Sequence, residues 1–195
     1  MRQFVVAFAT TGNTPKDGHR FSEIVLVGQE DGRLNDQRAA FKLGEAAGQV
    51  AFPAALSAIK ALVGDAQIVV HDAGKWRRFL RAELRTIKRH GATNLMSNVV
   101  DVGAWAHQRF PRQRRDVAAI ARKAGVAVPA HISGLELEAE LLRRIGNVMT
   151  RSAVAEESAI VAVNALETTA VVAIPIRQGW AERIGNFWRG LTVRA

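Results

Sequence analysis

Cysteine does not occur among the 195 residues. Disulfides and cysteine metal sites are therefore excluded. Cysteine usage does not indicate whether the protein is in an oxidising or a reducing compartment. The sequence also has no run of about 18 apolar residues and no charged-then-apolar segment at its N-terminus, so we expect a cytoplasmic protein without a membrane span. No internal repeat or low-complexity tract is visible. With 48% apolar and 23% charged residues, the composition is that of an ordinary globular protein.

Acidic residues are the scarcer charged class, with 18 Asp and Glu against 27 Lys and Arg and a formal net charge of +9. Such a surplus favours a polyanionic partner, because each phosphate that a cation neutralises releases condensed counterions. The sequence therefore predicts contact with DNA or RNA. The alternative is that the charge only keeps the protein in solution.

Short apolar runs and helical stripes alternate along most of the chain. Strands are predicted at residues 4–8 and 21–27, at 33–43 after the Asp31-Gly32 turn, and at 66–70. Helices are predicted from Pro53 to Gly64, from Gly74 to His90, and over residues 99–105, 116–123 and 135–148. Three strands followed by alternating helix and strand predict an α/β domain with a mixed sheet.

The composition changes at about Arg151, where stretches rich in alanine and valine begin. We expect residues 1–150 to form one domain and residues 151–195 to be an extension of it, because the extension is too short to bury a core of its own. Its amphipathic end carries candidate partner-binding residues at helical spacing: Trp180, Ile184, Phe187 and Trp188. This segment has three alternative docking partners: the domain itself, a second copy of the chain, or a partner protein.

Residues 5–12 read Val-Val-Ala-Phe-Ala-Thr-Thr-Gly. They resemble the first motif of the DnaQ-like (DEDDh) 3′–5′ exonucleases, a hydrophobic strand followed by Asp-x-Glu-Thr-Thr-Gly. Ala7 and Ala9 stand where that family has its two metal-binding carboxylates. Residues 71–80 resemble the second motif, and Trp76 stands at the position of its metal-binding aspartate.

The last motif of the family, His-x-Ala-x-x-Asp, has its nearest counterpart in residues 131–136. His131 then takes the position of the general base. Either Glu136 or Glu138 takes the position of the aspartate, the second if two extra residues follow His131.

The resemblance covers about residues 3–150, and its pieces are most similar to the proofreading epsilon subunit of bacterial DNA polymerase III. It implies a ribonuclease H-like α/β fold, with a mixed five-stranded sheet flanked by helices and followed by a C-terminal extension. The chemistry of the family needs carboxylates that converge on two divalent cations about 4 Å apart. Alanine and tryptophan offer no ligand oxygen, so we expect an inactive homologue that needs no cofactor.

Each of these positions has a second interpretation. Trp76 packs in the vacant cleft, or it is a platform on which a nucleic-acid base stacks. His131 is a relic of the general base, or a structural histidine. An active exonuclease is the alternative to the inactive homologue, with Mg²⁺ or Mn²⁺ bound at a relocated site. Its acids would be Asp17, Glu23, Asp72 and Asp101.

Basic residues are concentrated on the helix that starts near Gly74 and in a later cluster. The candidate nucleic-acid-binding residues are Lys75, Arg77, Arg78, Arg81, Arg85, Arg112, Arg114 and Arg115. Among them Arg77, Arg81 and Arg85 are spaced by four and are expected on one helix face. The sequence thus predicts a nucleic-acid-binding or protein-interaction module in DNA or RNA metabolism. A structural or regulatory protein that dimerises through its tail is a further alternative.

Overall fold

A single mixed sheet organises the computed structural model, which describes residues 1–88, 94–112 and 116–169. The strands are β1 (Arg2–Thr10), β2 (Phe21–Glu30), β3 (Arg33–Lys42), β4 (Gln67–Val70) and β5 (Val99–Asp101). Their order in the sheet is β3-β2-β1-β4-β5. β1 pairs antiparallel with β2 and parallel with β4, β2 pairs antiparallel with β3, and β4 pairs parallel with β5. The predicted mixed five-stranded α/β fold is confirmed.

Six helices are described, and three of them begin at a capping aspartate. They are α1 (Phe52–Val63), α2 (Ala73–Thr86), α3 (Asn94–Ser97), α4 (Val102–Arg109), α5 (Val117–Lys123) and α6 (Gly134–Thr169). The carboxylates of Asp72, Asp101 and Asp116 cap α2, α4 and α5 by accepting hydrogen bonds of 2.7–2.8 Å from backbone N–H groups three residues later. Each such cap stabilises its helix by about 1 kcal/mol.

The hairpin between β2 and β3 forms where it is predicted. Asp31 and Gly32 both have positive φ, 48° and 78°. Two consecutive residues of this kind make the tight turn whose twist matches that of paired strands. The register across the hairpin places Val25 opposite Ala40 and Val27 opposite Arg38.

The helix predicted over residues 99–105 is wrong at its start. Val99 and Val100 form β5 and pair with Ile68 and Val69 of β4. Both valines are buried, and β-branched side chains favour such a strand over a helix. The helix begins only after Asp101, whose carboxylate caps it.

The two faces of the sheet are covered by different helices. Phe4 and Val6 of β1 belong to a large core with residues from α1 and α2. Ala7 belongs to a smaller cluster with Val25, Val27 and Ala139 of α6. Alternation along β1 therefore separates an α1/α2 face from an α6 face.

The chain divides into two compact units, Met1–Gly146 and Asn147–Ala195. Helix α6 starts in the first unit and continues in the second to Thr169. The predicted boundary at residue 150 stays a prediction, and the predicted partner-binding residues lie outside the described residues. Within the described residues, every helix is too short or too polar to cross a bilayer.

A partly buried ion pair connects α2 to the loop that follows β1. Glu83 of α2 is 3% exposed. Its carboxylate accepts a hydrogen bond of 2.8 Å from Arg20 Nε and a second one from Arg20 Nη2. The Arg20 carbonyl oxygen accepts a hydrogen bond from the Thr11 backbone N–H, and the Arg20 backbone N–H donates one to Thr11 Oγ1, so the pair holds the Thr-Thr-Gly loop against α2.

Arg20→Ala is expected to lower the free energy of unfolding by about 1–3 kcal/mol, because it leaves the Glu83 carboxylate buried without a partner. Arg81→Ala, at an exposed arginine of the same helix, is the control and should change stability by no more than about 0.5 kcal/mol. Chemical denaturation measures both. An Arg20→Ala protein as stable as the wild type would show that Glu83 does not depend on this partner.

Candidate functional site

The first two degenerate positions lie on the α6 face of β1. Ala7 is fully buried, pairs in register with Val25, and packs in one cluster with Ala139 of α6. Ala9 is partly buried and pairs with Glu23. Small residues at positions 7 and 139 thus pack together at the position to which the resemblance assigns the first metal-binding carboxylate.

Trp76 lies on the other face of the sheet. It is 1% exposed and packs against Phe8 and Phe21, with ring centroids 5.5 and 5.4 Å away. Its indole N–H donates a hydrogen bond of 2.8 Å to the carbonyl oxygen of Leu95. The interpretation that Trp76 fills the cleft beside Ala7 is wrong, because the inward stripe of α2 turns this side chain into the α1/α2 core. A buried ring is equally unavailable for stacking on a base.

The two late glutamates point in different directions. Glu138 lies near His71, at the end of β4, and Lys75, in the first turn of α2. Burial raises the pKa of Glu138, and the neighbouring His71 and Lys75 offset this only in part. Glu136, by contrast, lines a groove on the other side of α6.

That groove, the α6 groove, has a volume of about 460 Å³ and lies between α6 and strands β2 and β3. His131 and Glu136 form part of its wall, and Val25, Val27 and Ala40 are among its apolar residues. The predicted relic base is exposed in this groove. The structure therefore places His131 with Glu136, and Glu138 with His71.

The side chains at this site do not fit a pair of divalent cations. Mg²⁺ prefers oxygen ligands in octahedral geometry. Of the degenerate positions beside Ala7, only Glu138 offers an oxygen, and the ammonium group of nearby Lys75 repels a cation. Within the described residues, no group of three or more His, Asp or Glu side chains is arranged to hold a metal ion.

The acids of the alternative relocated site lie on different elements, and two of them cap helices. Asp72 and Asp101 cap helices, and Asp101 also accepts a hydrogen bond of 3.0 Å from the backbone N–H of Ala73. Glu23 stands opposite Lys42 of β3 in the register of the sheet. Asp17 lies in a single 3-10 turn. The structure does not bring these four carboxylates together.

The basic residues of α2 divide into two sets. Arg78, Arg81 and Arg85 are exposed, and we call them the α2 cation row. Arg77 instead donates a hydrogen bond of 2.8 Å to the carbonyl oxygen of Met96, and the Lys75 ammonium lies 5.9 Å from the centre of the Phe79 ring. Arg77, Arg81 and Arg85 thus share one face of α2, as their spacing predicts, and Arg77 is bound to the backbone at the edge of that face.

The remaining predicted cations lie apart from α2 in the chain. Arg112 is exposed, after the end of α4. Arg114 and Arg115 lie outside the described residues. Sequence reasoning missed Glu83, although the only acid within a basic helix is a signal for a buried ion pair. It also missed Lys75 beside Glu138, for which no local pattern exists.

Glu140 forms an ion-pair cluster on the wall of the α6 groove. Its carboxylate accepts hydrogen bonds from Arg143 Nε and Nη2, both 2.8 Å, and from Arg144 Nε at 2.7 Å. These bonds lower the pKa of Glu140 to about 2, against the opposing effect of burial. The cluster therefore stabilises the first turns of α6 as long as Glu140 is ionised.

Ala7→Asp is expected to lower the free energy of unfolding by at least about 2 kcal/mol, because a carboxylate there is buried beneath α6. Ala9→Glu, at a partly exposed position of the same strand, should cost no more than about 1 kcal/mol. Thermal and chemical denaturation measure both changes. A stable Ala7→Asp protein that binds Mn²⁺ in calorimetry would contradict the closed packing of this site.

Glu140→Gln is expected to lower the melting temperature at neutral pH. The folded-state pKa of Glu140 lies below its unfolded value, so its stabilisation is complete above the unfolded pKa and is lost as pH falls towards 2. The difference from wild type should therefore shrink over that acidic range. Exposed Glu136→Gln is the control, and a pH-independent difference for Glu140→Gln would refute the ion-pair origin.

Comparisons with known proteins agree on the fold. No family model and no curated protein matches the chain. The nuclease domain of 3′hExo, a DEDDh family member, bound to rAMP, is similar at 11% identity and a TM-score of 0.60, over 77% of this chain and 92% of that chain. A 3′-exonuclease in a structure of 3′-end-specific recognition of the histone mRNA stem-loop is similar at 11% identity and a TM-score of 0.61, over 77% and 82%.

A chain from the structure of SSB/Exonuclease I in complex with the inhibitor CFAM is similar at 9% identity and a TM-score of 0.57. That likeness covers 72% of this chain and 40% of the other. Likenesses at such low identity concern the fold. The chain therefore has the fold of the DEDDh exonuclease domains.

Proposed function

We propose that this chain is a catalytically inactive exonuclease homologue that acts as a nucleic-acid-binding module in DNA or RNA metabolism. The observation that carries the proposal is the contact of Ala7 with the Ala139 region of α6. It fills the place of the first metal-binding carboxylate with two small apolar residues. Glu138 is then left as a single carboxylate beside Lys75, which is too few oxygen ligands for two-metal cleavage of a phosphodiester.

The surface supports a nucleic-acid partner. The net charge is +9, and the α2 cation row presents three exposed guanidinium groups. Two solved structures of the same fold are described, one bound to rAMP and one of recognition of the histone mRNA stem-loop. A retained scaffold with basic surface residues fits binding to polyanions better than turnover of them.

We further propose that the chain is a relative of the proofreading epsilon subunit. It rests on the order and spacing of the residues that resemble the three exonuclease motifs, together with the alanines and Trp76 at metal-ligand positions. In this proposal the protein needs neither Mg²⁺ nor Mn²⁺. The amphipathic end of the chain is its candidate surface for a protein partner or a second copy, and a cytoplasmic location stays a prediction.

A digestion assay tests the loss of catalysis. The full chain is incubated with single-stranded and mispaired DNA and with RNA in Mg²⁺ or Mn²⁺, and we expect no shortening of labelled 3′ ends. Glu138→Gln is the matched variant, because it removes the remaining carboxylate and keeps the shape of the side chain. Metal-dependent digestion that Glu138→Gln abolishes would overturn the proposal in favour of an active exonuclease.

A binding assay tests the nucleic-acid partner separately. We expect affinity for labelled DNA or RNA to fall linearly with salt on a logarithmic scale, because cation–phosphate contacts release counterions. Failure to bind any nucleic acid at low salt would leave a structural or regulatory protein. Sedimentation of the full chain at several concentrations then shows whether it dimerises.

A further inference from the structure

We infer that the α2 cation row binds the phosphate backbone of a double helix, of DNA or RNA, in preference to a single strand. This inference rests on the proposed nucleic-acid-binding function and names its substrate class. It keeps the α2 cation row as the contact surface and specifies the form of nucleic acid that this row binds.

The three guanidinium groups form a straight row. At about 100° of turn per residue, Arg78, Arg81 and Arg85 lie within an arc of about 60° on the helix. They extend over about 10 Å along its axis. The opposite side of α2 holds Trp76 and Phe79 in the core, so the row is fixed to a rigid element. The helix therefore fixes the spacing at which the three side chains leave its surface, and binding has to order only their rotamers.

Ion pairs do not neutralise the row. Within the described part of the chain, the side chains of Arg78, Arg81 and Arg85 make no ion pair or hydrogen bond. The only acid within α2 is Glu83, which is buried and paired with Arg20. Asp72, before the helix, caps α2 and lies on the same side of Gly74 as Arg78, so its charge offsets part of one of the three cations. Exposed Lys88 follows the end of the helix and adds a further cation.

The same face lacks what single-strand binding requires. Proteins that hold single strands without sequence preference combine a basic groove with aromatic rings on which the bases stack. The aromatic residues of α2, Trp76 and Phe79, are both buried. Its outer face is the convex surface of a helix with arginine, glycine and alanine. It therefore offers attraction to phosphates and no surface for unstacked bases.

A duplex suits this surface better on electrostatic grounds. Duplex DNA carries about one negative charge per 1.7 Å of its axis, twice the density of one strand at the same rise. Three phosphate contacts predict a slope of log K against log salt of about −2.7 for a duplex and about −2.1 for a single strand. At about 0.1 M salt this difference alone favours the duplex about fourfold.

The experiment compares matched ligands by fluorescence anisotropy over a salt series. The full chain is titrated with a blunt DNA duplex, an RNA duplex of the same sequence, and each separated strand. We expect at least about fourfold tighter binding to a duplex than to its strands. The DNA and RNA arms show which double helix is preferred.

Variants then assign the surface. The triple variant Arg78→Gln, Arg81→Gln, Arg85→Gln should reduce the magnitude of the slope of log K against log salt for the duplex by about 2.7. The control triple Arg33→Gln, Arg38→Gln, Lys42→Gln removes the same charge from exposed residues of β3 and should leave the slope within about 1 of wild type. Arg81→Gln alone, expected to reduce the slope by about 1, repeats the test with a single exposed change.

Equal affinity for duplex and strands, or a duplex slope that the α2 triple variant leaves unchanged, overturns this inference while nucleic-acid binding itself stands. No binding to any of the four ligands at low salt overturns the proposed function as well. The two failures are therefore distinguishable in one data set.

Discussion

The contact between β1 and α6 is the constraint on which the rest of the molecule depends. A strand buried on both faces must place each side chain against a neighbouring layer, and here Ala7 packs in one cluster with Ala139 of α6. Close packing of this kind leaves few voids. In the function proposed above, this contact occupies the place of the first metal-binding carboxylate, so the chain keeps the fold of the exonuclease domains without their reaction.

The acidic residues near the helix ends likewise serve the stability of the fold. The carboxylates of Asp72 and Asp101 satisfy backbone N–H groups, and Glu83 neutralises Arg20. These acids stabilise the fold and are not free for metal chemistry. Within the described residues, the arginines of the α2 cation row make no such contacts, so their charges contribute little to stability.

Much of the fold could be predicted from the sequence, because local patterns determine it. The Asp31-Gly32 turn, the apolar run of β1 and the stripe of α2 each report on neighbouring residues. The arrangement of the site was harder to predict from the sequence, because it depends on which face of the sheet each residue occupies. Trp76 sits at the expected position in the chain, yet helix rotation turns it into the other core. The sequence alone does not distinguish the roles of Glu136 and Glu138. In the structure, Glu138 is the one that lies near His71.

Strand β3 forms one edge of the sheet, with β2 as its only partner strand. An edge presents unpaired backbone groups to which a strand of another molecule can add. Arg33, Arg38 and Lys42 project exposed from this edge strand. When two copies approach edge to edge, their like charges repel one another. The positive side chains of β3 thus protect the protein from aggregating with itself at high concentration.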